Sequence, residues 1–275
     1  MRTGLGAICL MAFAYLIATT SAAVPDSPES PLEALVTADQ TKGWEAVGRI
    51  DFGATGFCTG TLISPSQVLT AAHCLFDKES GERLPIDQMR FLAGWRNGRA
   101  AAYRGVKAAY AHPDYAYDGP DSMDRVAYDL AILELDQPIR LPSIKPFPTG
   151  TDPANGETVE VVSYALERSE APSLQKTCEV LGRQPGVLVL SCSVDFGSSG
   201  APILAMRNGV PTIVSVVSAK AELDSQLVSL GTQMQVPLGE LLASIPNGAS
   251  AHGVRNAVGV SGVRMGGGGA KFLTP

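Results

Sequence analysis

Gln67-Val68-Leu69-Thr70-Ala71-Ala72-His73-Cys74 is the stretch from which the rest of the chain can be read. Its first half, residues 67–70, is a short β-prone run. The small residues that follow suit a single helical turn over 71–76, which sets a histidine and a cysteine just past the end of a strand. The same texture extends in both directions. Short β-prone runs cover 47–52, 59–63, 90–93, 101–110, 130–135 and 158–164, then 187–191, 203–205, 212–218 and 231–236. Clusters of Gly, Pro, Asn and Asp separate them, drawn from 29 Gly and 19 Pro. Many short strands with turn signals predict an all-β barrel or sandwich. A short terminal helix is expected over 238–244.

The ends of the chain read differently. Arg2, the apolar run 5–17 and the small residues Thr20-Ser21-Ala22-Ala23 make residues 1–23 a secretory signal peptide. Residues 24–43, rich in Pro, Ser, Asp and Glu, read as a mobile leader or short pro-segment. The strand-rich part divides at the Pro/Gly-rich stretch 141–156, giving an N-terminal β-barrel over 44–150 and a C-terminal β-barrel with a short helix over 151–246. Residues 247–275 form a Gly-rich tail expected to be disordered, although Lys271-Phe272-Leu273 could dock. The formal net charge of -6 gives no general electrostatic reason to bind nucleic acid or an anionic membrane. The expected product is a monomer, secreted or periplasmic, free of the membrane after signal cleavage.

Removing residues 1–23 removes Cys9 and leaves Cys58, Cys74, Cys178 and Cys192. An even count in an exported chain suggests two disulfides, and four cysteines allow three connectivities. Sequence proximity favours Cys58–Cys74 with Cys178–Cys192. Neither pair has zinc-ligand spacing. The acidic residues Asp118, Asp121 and Asp124 lack the alternation of a calcium loop and read as a solvated loop, so no metal is expected. No cofactor motif occurs either.

Three segments carry chemistry together: Thr70-Ala71-Ala72-His73-Cys74, Tyr128-Asp129-Leu130-Ala131-Ile132-Leu133 and Gly197-Ser198-Ser199-Gly200-Ala201-Pro202. They resemble, in the same order, the histidine, buried-aspartate and nucleophile motifs of the chymotrypsin/trypsin-type serine proteases. The resemblance covers about residues 44–245. It implies two six-stranded antiparallel β-barrels and a triad of Ser199, His73 and Asp129, roles carried over from the standard template of this family. A serine hydroxyl is a poor nucleophile until a neighbouring base takes its proton, and a buried carboxylate fixes the tautomer of that base. The resemblance also implies an oxyanion hole from the N–H groups of Gly197 and Ser199, and a Cys58–Cys74 bridge bracing His73. His112 resembles a structural residue of a surface loop, and His252 lies in the tail.

The departures are informative. Zymogen-type members carry an aspartate before the nucleophile that pairs with a freed N-terminus; here that position is Ser198, and no Ile-Val-Gly-Gly segment exists. The pattern is similar to secreted bacterial glutamyl-endopeptidase-like members. Ser193, Ser215 and Val217 are the expected substrate-binding positions. Ser193 is not acidic, which argues against an Arg/Lys preference. Val217 would narrow the pocket, and no histidine lies near to hold a glutamate, so a small or medium apolar preference is expected. The substrates expected are proteins or peptides, cut through an acyl-enzyme. The alternative is a catalytically silent homologue acting as a binding module.

Overall fold

The computed structural model describes residues 30–53, 56–117, 122–246 and 271–272. The chain enters through a two-residue strand, β1 (Glu33–Ala34), and a one-turn helix, α1 (Ala38–Thr41), with a capping box between Thr37 and Gln40. Strands β2 (Val47–Asp51), β3 (Phe57–Ser64), β4 (Gln67–Thr70), β5 (Arg90–Ala93), β6 (Ala102–Ala111) and β7 (Ala131–Leu135) follow. They close into an antiparallel barrel in the order β2-β3-β4-β7-β6-β5. Ile50, Leu62, Val68, Phe91, Ile132 and Leu133 are fully buried within it. Helix α2 (Met123–Ala127) lies just ahead of β7, capped by the Ser122 hydroxyl.

The second sheet comprises β8 (Thr158–Ala165), β9 (Arg168–Gln184), β10 (Val187–Leu190), β11 (Pro202–Arg207), β12 (Val210–Leu223) and β13 (Gln226–Gln233). These run β9-β10-β13-β12-β11-β8, and the pairing of β8 with β9 returns the sheet onto itself. Val161, Leu188, Leu190, Ile203, Val214 and Val217 pack inside. A helix, α3 (Gln235–Ser244), follows; Pro237 fits its first turn, where a missing N–H costs nothing. The Asp152 carboxylate, from the inter-barrel stretch, accepts N–H bonds from Met234 (3.2 Å) and Gln235 (3.3 Å) at the start of this helix. A last strand, β14 (Lys271–Phe272), pairs with Ala221 and Glu222 of β12. No helix among the described residues is long and apolar enough to cross a membrane. The signal-peptide reading of 1–23, Asp118, Asp121 and His252 lie outside the described residues.

Two features were not foreseen in the sequence. From Ser30 onward the segment read as a leader is packed on the second sheet. Ser30 bonds Thr177 through both backbone and hydroxyl, β1 pairs with Ser173 and Leu174 of β9, and Leu35 is 2% exposed in the main core. The short, extended segment is held by a sheet edge and by the burial of Leu35 rather than by a periodic hydrophobic pattern. The other is β9, a 17-residue strand where no run was expected. It buries the polar Ser173 and Gln175, and Pro172 falls where the ladder with β8 breaks between Ser163 and Ala165.

If the leader belongs to the cooperative fold, Leu35→Ala should lower unfolding free energy by about 2–5 kcal/mol, the usual range for a buried leucine. Guanidinium denaturation checks this; a change under about 0.5 kcal/mol, the size of a surface effect, would mean that the segment is only laid on the surface.

Candidate active site

His73 sits in a short 3₁₀ turn, Ala72–Leu75, at the end of β4. The Cys58–Cys74 disulfide ties that turn to β3, and Cys178–Cys192 links β9 to the segment leading into the nucleophile loop. Both expected pairings are present. Cys58 and Cys74 therefore offer no thiolate to a metal although they lie beside His73. Asp129 follows α2 and is 2% exposed. Its Oδ2 accepts from His73 Nδ1 at 2.7 Å and from the Ser218 hydroxyl at 2.5 Å, while its Oδ1 accepts the His73 backbone N–H at 2.8 Å. Burial alone would push this carboxyl up. The His73 charge, the ring bond, the Ser218 hydroxyl and the His73 N–H together hold it below the usual carboxylate range. The bond to Asp129 places the His73 proton on Nδ1, leaving Nε2 as the basic nitrogen. His112, expected to be structural, is buried and stacks on Tyr128 at 5.0 Å, with Nε2 3.3 Å from Glu240.

Ser199 lies in the loop between β10 and β11, and the first barrel holds that loop directly. The Thr59 N–H donates to Ser199 C=O (2.8 Å) and the Thr59 hydroxyl donates to Gly197 C=O (2.8 Å). Gly200 has φ +79°, and a Cβ there would lie 2.1 Å from Thr70 Oγ1 and 3.0 Å from Ala71 N. Glycine is required on both counts, and the approach sets Ser199 beside the turn that carries His73. Gly197 is constrained in the same way: its φ is +94°, and a Cβ there would lie 2.4 Å from the Phe57 ring. Among the described residues, the N–H groups of Gly197 and Ser199 have no acceptor, and the Ser199 hydroxyl makes no hydrogen bond with His73. Such a contact is often long before substrate binds.

Ser198 is fully buried beneath this loop. Its Oγ receives Arg168 Nη2 at 3.2 Å and the Asp195 N–H at 3.3 Å, and faces Tyr164 C=O at 3.2 Å. Arg168 also donates to Ser163 C=O (2.8 Å) and Ser163 Oγ (3.1 Å). Burial lowers the Arg168 pKa, opposed by the nearby Asp195 charge.

A cavity of about 410 Å³ opens beside the loop, walled by Ser191–Val194 on one side and by Lys220 and 225–228 on the other. Ser193 is on its wall. Ser215 and Val217, also expected at the substrate site, do not line this cavity. The Ser215 hydroxyl donates to Thr232 C=O inside the barrel, and Val217 is 2% exposed with both backbone groups bonded to residues 200 and 201. The register lies three residues further on. Ser218 touches Asp129, and Lys220 reaches the cavity with Nζ 3.6 Å from Asp195 Oδ1. Ser218, Lys220 and Arg168 were not singled out from sequence. β12 is buried on both faces over 212–218, so alternation gave no sign of which serine faces Asp129.

A closed antiparallel barrel joined to a second strand ring, with an imidazole bonded to a buried carboxylate and a glycine-framed serine loop held by the first barrel, defines a chymotrypsin-like fold. The chain belongs to the trypsin family, whose model matches residues 36–229. It is similar to a glutamyl endopeptidase of Bacillus licheniformis, 27% identical over 150 residues, covering 54% of this chain and 45% of that protein. It is also similar to a suppressor of tumorigenicity 14 protein homolog of Bos taurus, 31% identical over 179 residues, covering 53% of this chain and 20% of that one. The chain thus spans less than half the length of these relatives. A solved structure of a Glu endopeptidase superposes with a TM-score of 0.60 at 19% identity, over 76% of this chain and 92% of that chain, which is a likeness of fold.

The Asp129 shift has a stability consequence. Its folded pKa lies below the unfolded value of about 3.9, so the stabilisation is complete above that pH and is lost as pH falls through the lowered folded value. Between pH 5 and 2 the wild type should lose unfolding free energy more steeply than Asp129→Asn. Equal slopes in chemical denaturation at each pH would contradict the assignment.

Proposed function

We propose that the chain is a secreted serine endopeptidase in which Ser199 is the nucleophile, His73 the general base and Asp129 its orienting carboxylate. The observation that carries this reading is the fully bonded Asp129 carboxylate, which leaves His73 Nε2 basic beside a loop with two unused N–H donors. The Ser199 hydroxyl would lose its proton to His73 Nε2 as its oxygen attacks the scissile carbonyl. The resulting oxyanion would be received by the N–H groups of Gly197 and Ser199. His73 would then protonate the leaving amine, and a water molecule, activated by the same imidazole, would release the acyl group. Positioned donors of this kind each account for about a 100- to 1,000-fold change in rate.

Secretion is supported by the signal-like residues 1–23 and by the two disulfides, which persist in oxidising compartments. The geometry of the cavity favours an acidic side chain in place of the apolar one expected from Val217. Its walls carry Ser191, Ser193 and Ser225, and among the described residues Lys220, 3.6 Å from Asp195, is the single charged group lining it. The name of the glutamyl endopeptidase relative points the same way.

The test is digestion of casein by purified chain beside Ser199→Ala, with product ends read by mass spectrometry. The expected result is cleavage by the wild type and a fall of at least about 10⁴-fold in the variant, in keeping with loss of a triad nucleophile. Equal binding of an intact partner by both proteins, with no cleavage by either, would instead support the silent binding module. In the same assay Lys220→Met should reduce the preference for acidic over neutral cut sites by about 10- to 100-fold, as expected for removing one partner of a charged contact. An unchanged cleavage profile would remove Lys220 from the specificity pocket.

A further inference from the structure

Arg168 is a half-buried cation in the β8–β9 hairpin, and no carboxylate lies within ion-pairing distance of it among the described residues. A buried guanidinium is costly unless its donors are used. Its donors are spent on neutral oxygens, and one of them is the hydroxyl of Ser198, the residue immediately before the nucleophile. Ser198 is the hub of the loop. Its side chain meets Arg168, the Asp195 N–H, Tyr164 C=O and Ser163 Oγ, while its backbone N–H reaches Asp195 C=O (2.8 Å) and its C=O receives Ala201 N–H (2.9 Å). The same hairpin grips the loop a second time through Leu166 N–H and Phe196 C=O at 2.7 Å. Between these grips stand Gly197, in left-handed backbone, and the two unused N–H groups.

We infer that Arg168 is a positioning residue for the proposed reaction: by bonding Ser198 from within the chain, it holds residues 196–199 so that the Gly197 and Ser199 N–H groups converge on the developing oxyanion. The inference rests on the endopeptidase reading given above. The geometry has a specific reason to use a cation. The Ser198 hydroxyl has a single proton, which faces Tyr164 C=O (3.2 Å) and Ser163 Oγ (3.3 Å), and its lone pairs are left to take the Asp195 N–H and one strong donor. A charged guanidinium is such a donor, and it holds its bond more firmly than a neutral one would. Losing it would free Ser198 to rotate, and Gly197, with no side chain, offers little resistance to a flip of the adjoining peptide.

The experiment compares wild type, Arg168→Met, Arg168→Lys and Ser198→Ala, with active-site titration, steady-state kinetics, and hydrogen exchange over the peptide spanning 195–201. The expected result is that Arg168→Met lowers kcat per titrated site about 100-fold, the size of one lost oxyanion donor, while KM stays within about 3-fold. Exchange should quicken over 195–201 and stay unchanged in the barrel strands. Arg168→Lys, which keeps the charge but not the fork, should recover part of kcat. Ser198→Ala should reproduce the loss, and it stands in if Arg168→Met does not fold. An active wild type with kcat unchanged in these variants overturns the inference while leaving the endopeptidase reading intact. An inactive wild type sinks the endopeptidase reading; the exchange data then decide whether Arg168 orders the loop at all, and unchanged exchange overturns that too.

Discussion

The Asp129 carboxylate is the interaction around which the two barrels are organised. A buried charge must have its oxygens bonded, and three donors do this here. Two come from His73 in the first barrel. The third is Ser218, on β12 of the second. The carboxylate therefore does more than hold an imidazole. It fixes how β12 lies against the turn after β4, and with it where Lys220, two residues further on, reaches the cavity.

A second set of bonds crosses in the opposite direction. Thr59, on β3, reaches Gly197 and Ser199 of the second barrel and also receives the Tyr164 N–H at 3.1 Å. Tyr164 in turn donates its hydroxyl to Trp95 C=O at 2.8 Å. Each barrel thus carries part of the proposed chemistry and holds the other's part in place. The base and acid belong to the first barrel, the nucleophile and oxyanion donors to the second. Gly200 completes the arrangement, because only a residue without Cβ can come so close to Thr70. Two disulfides brace this arrangement, one at the histidine turn and one at the segment entering the nucleophile loop.

Much of this was legible in the sequence, and for identifiable reasons. The first-barrel strands are short and bounded by turn residues, so β2, β4, β5 and β7 stand close to where composition put them. His73, Asp129 and Ser199 fall in compact local motifs and could be named at once. What escaped has no local signature. β9 is polar, contains a proline and buries Ser173 and Gln175 through partners distant in sequence. The leader from Ser30 owes its order to that same strand edge. Ser215 and Ser218 lie in one strand buried on both faces, and only the position of Asp129, 89 residues away, distinguishes them. Arg168 reads as an ordinary surface arginine until the fold brings Ser198 to it, 30 residues further along the chain.

The central claim is that Ser199 is activated by His73 held on Asp129. It is tested most directly by intact-mass measurement after exposure to an organofluorophosphonate, followed by peptide mapping. The account predicts one adduct, on Ser199, forming rapidly in the wild type and at least about 100-fold more slowly in His73→Ala, since the base is needed to activate the hydroxyl. No adduct on folded, disulfide-bonded wild type, or labelling at equal rates in the two proteins, would contradict it.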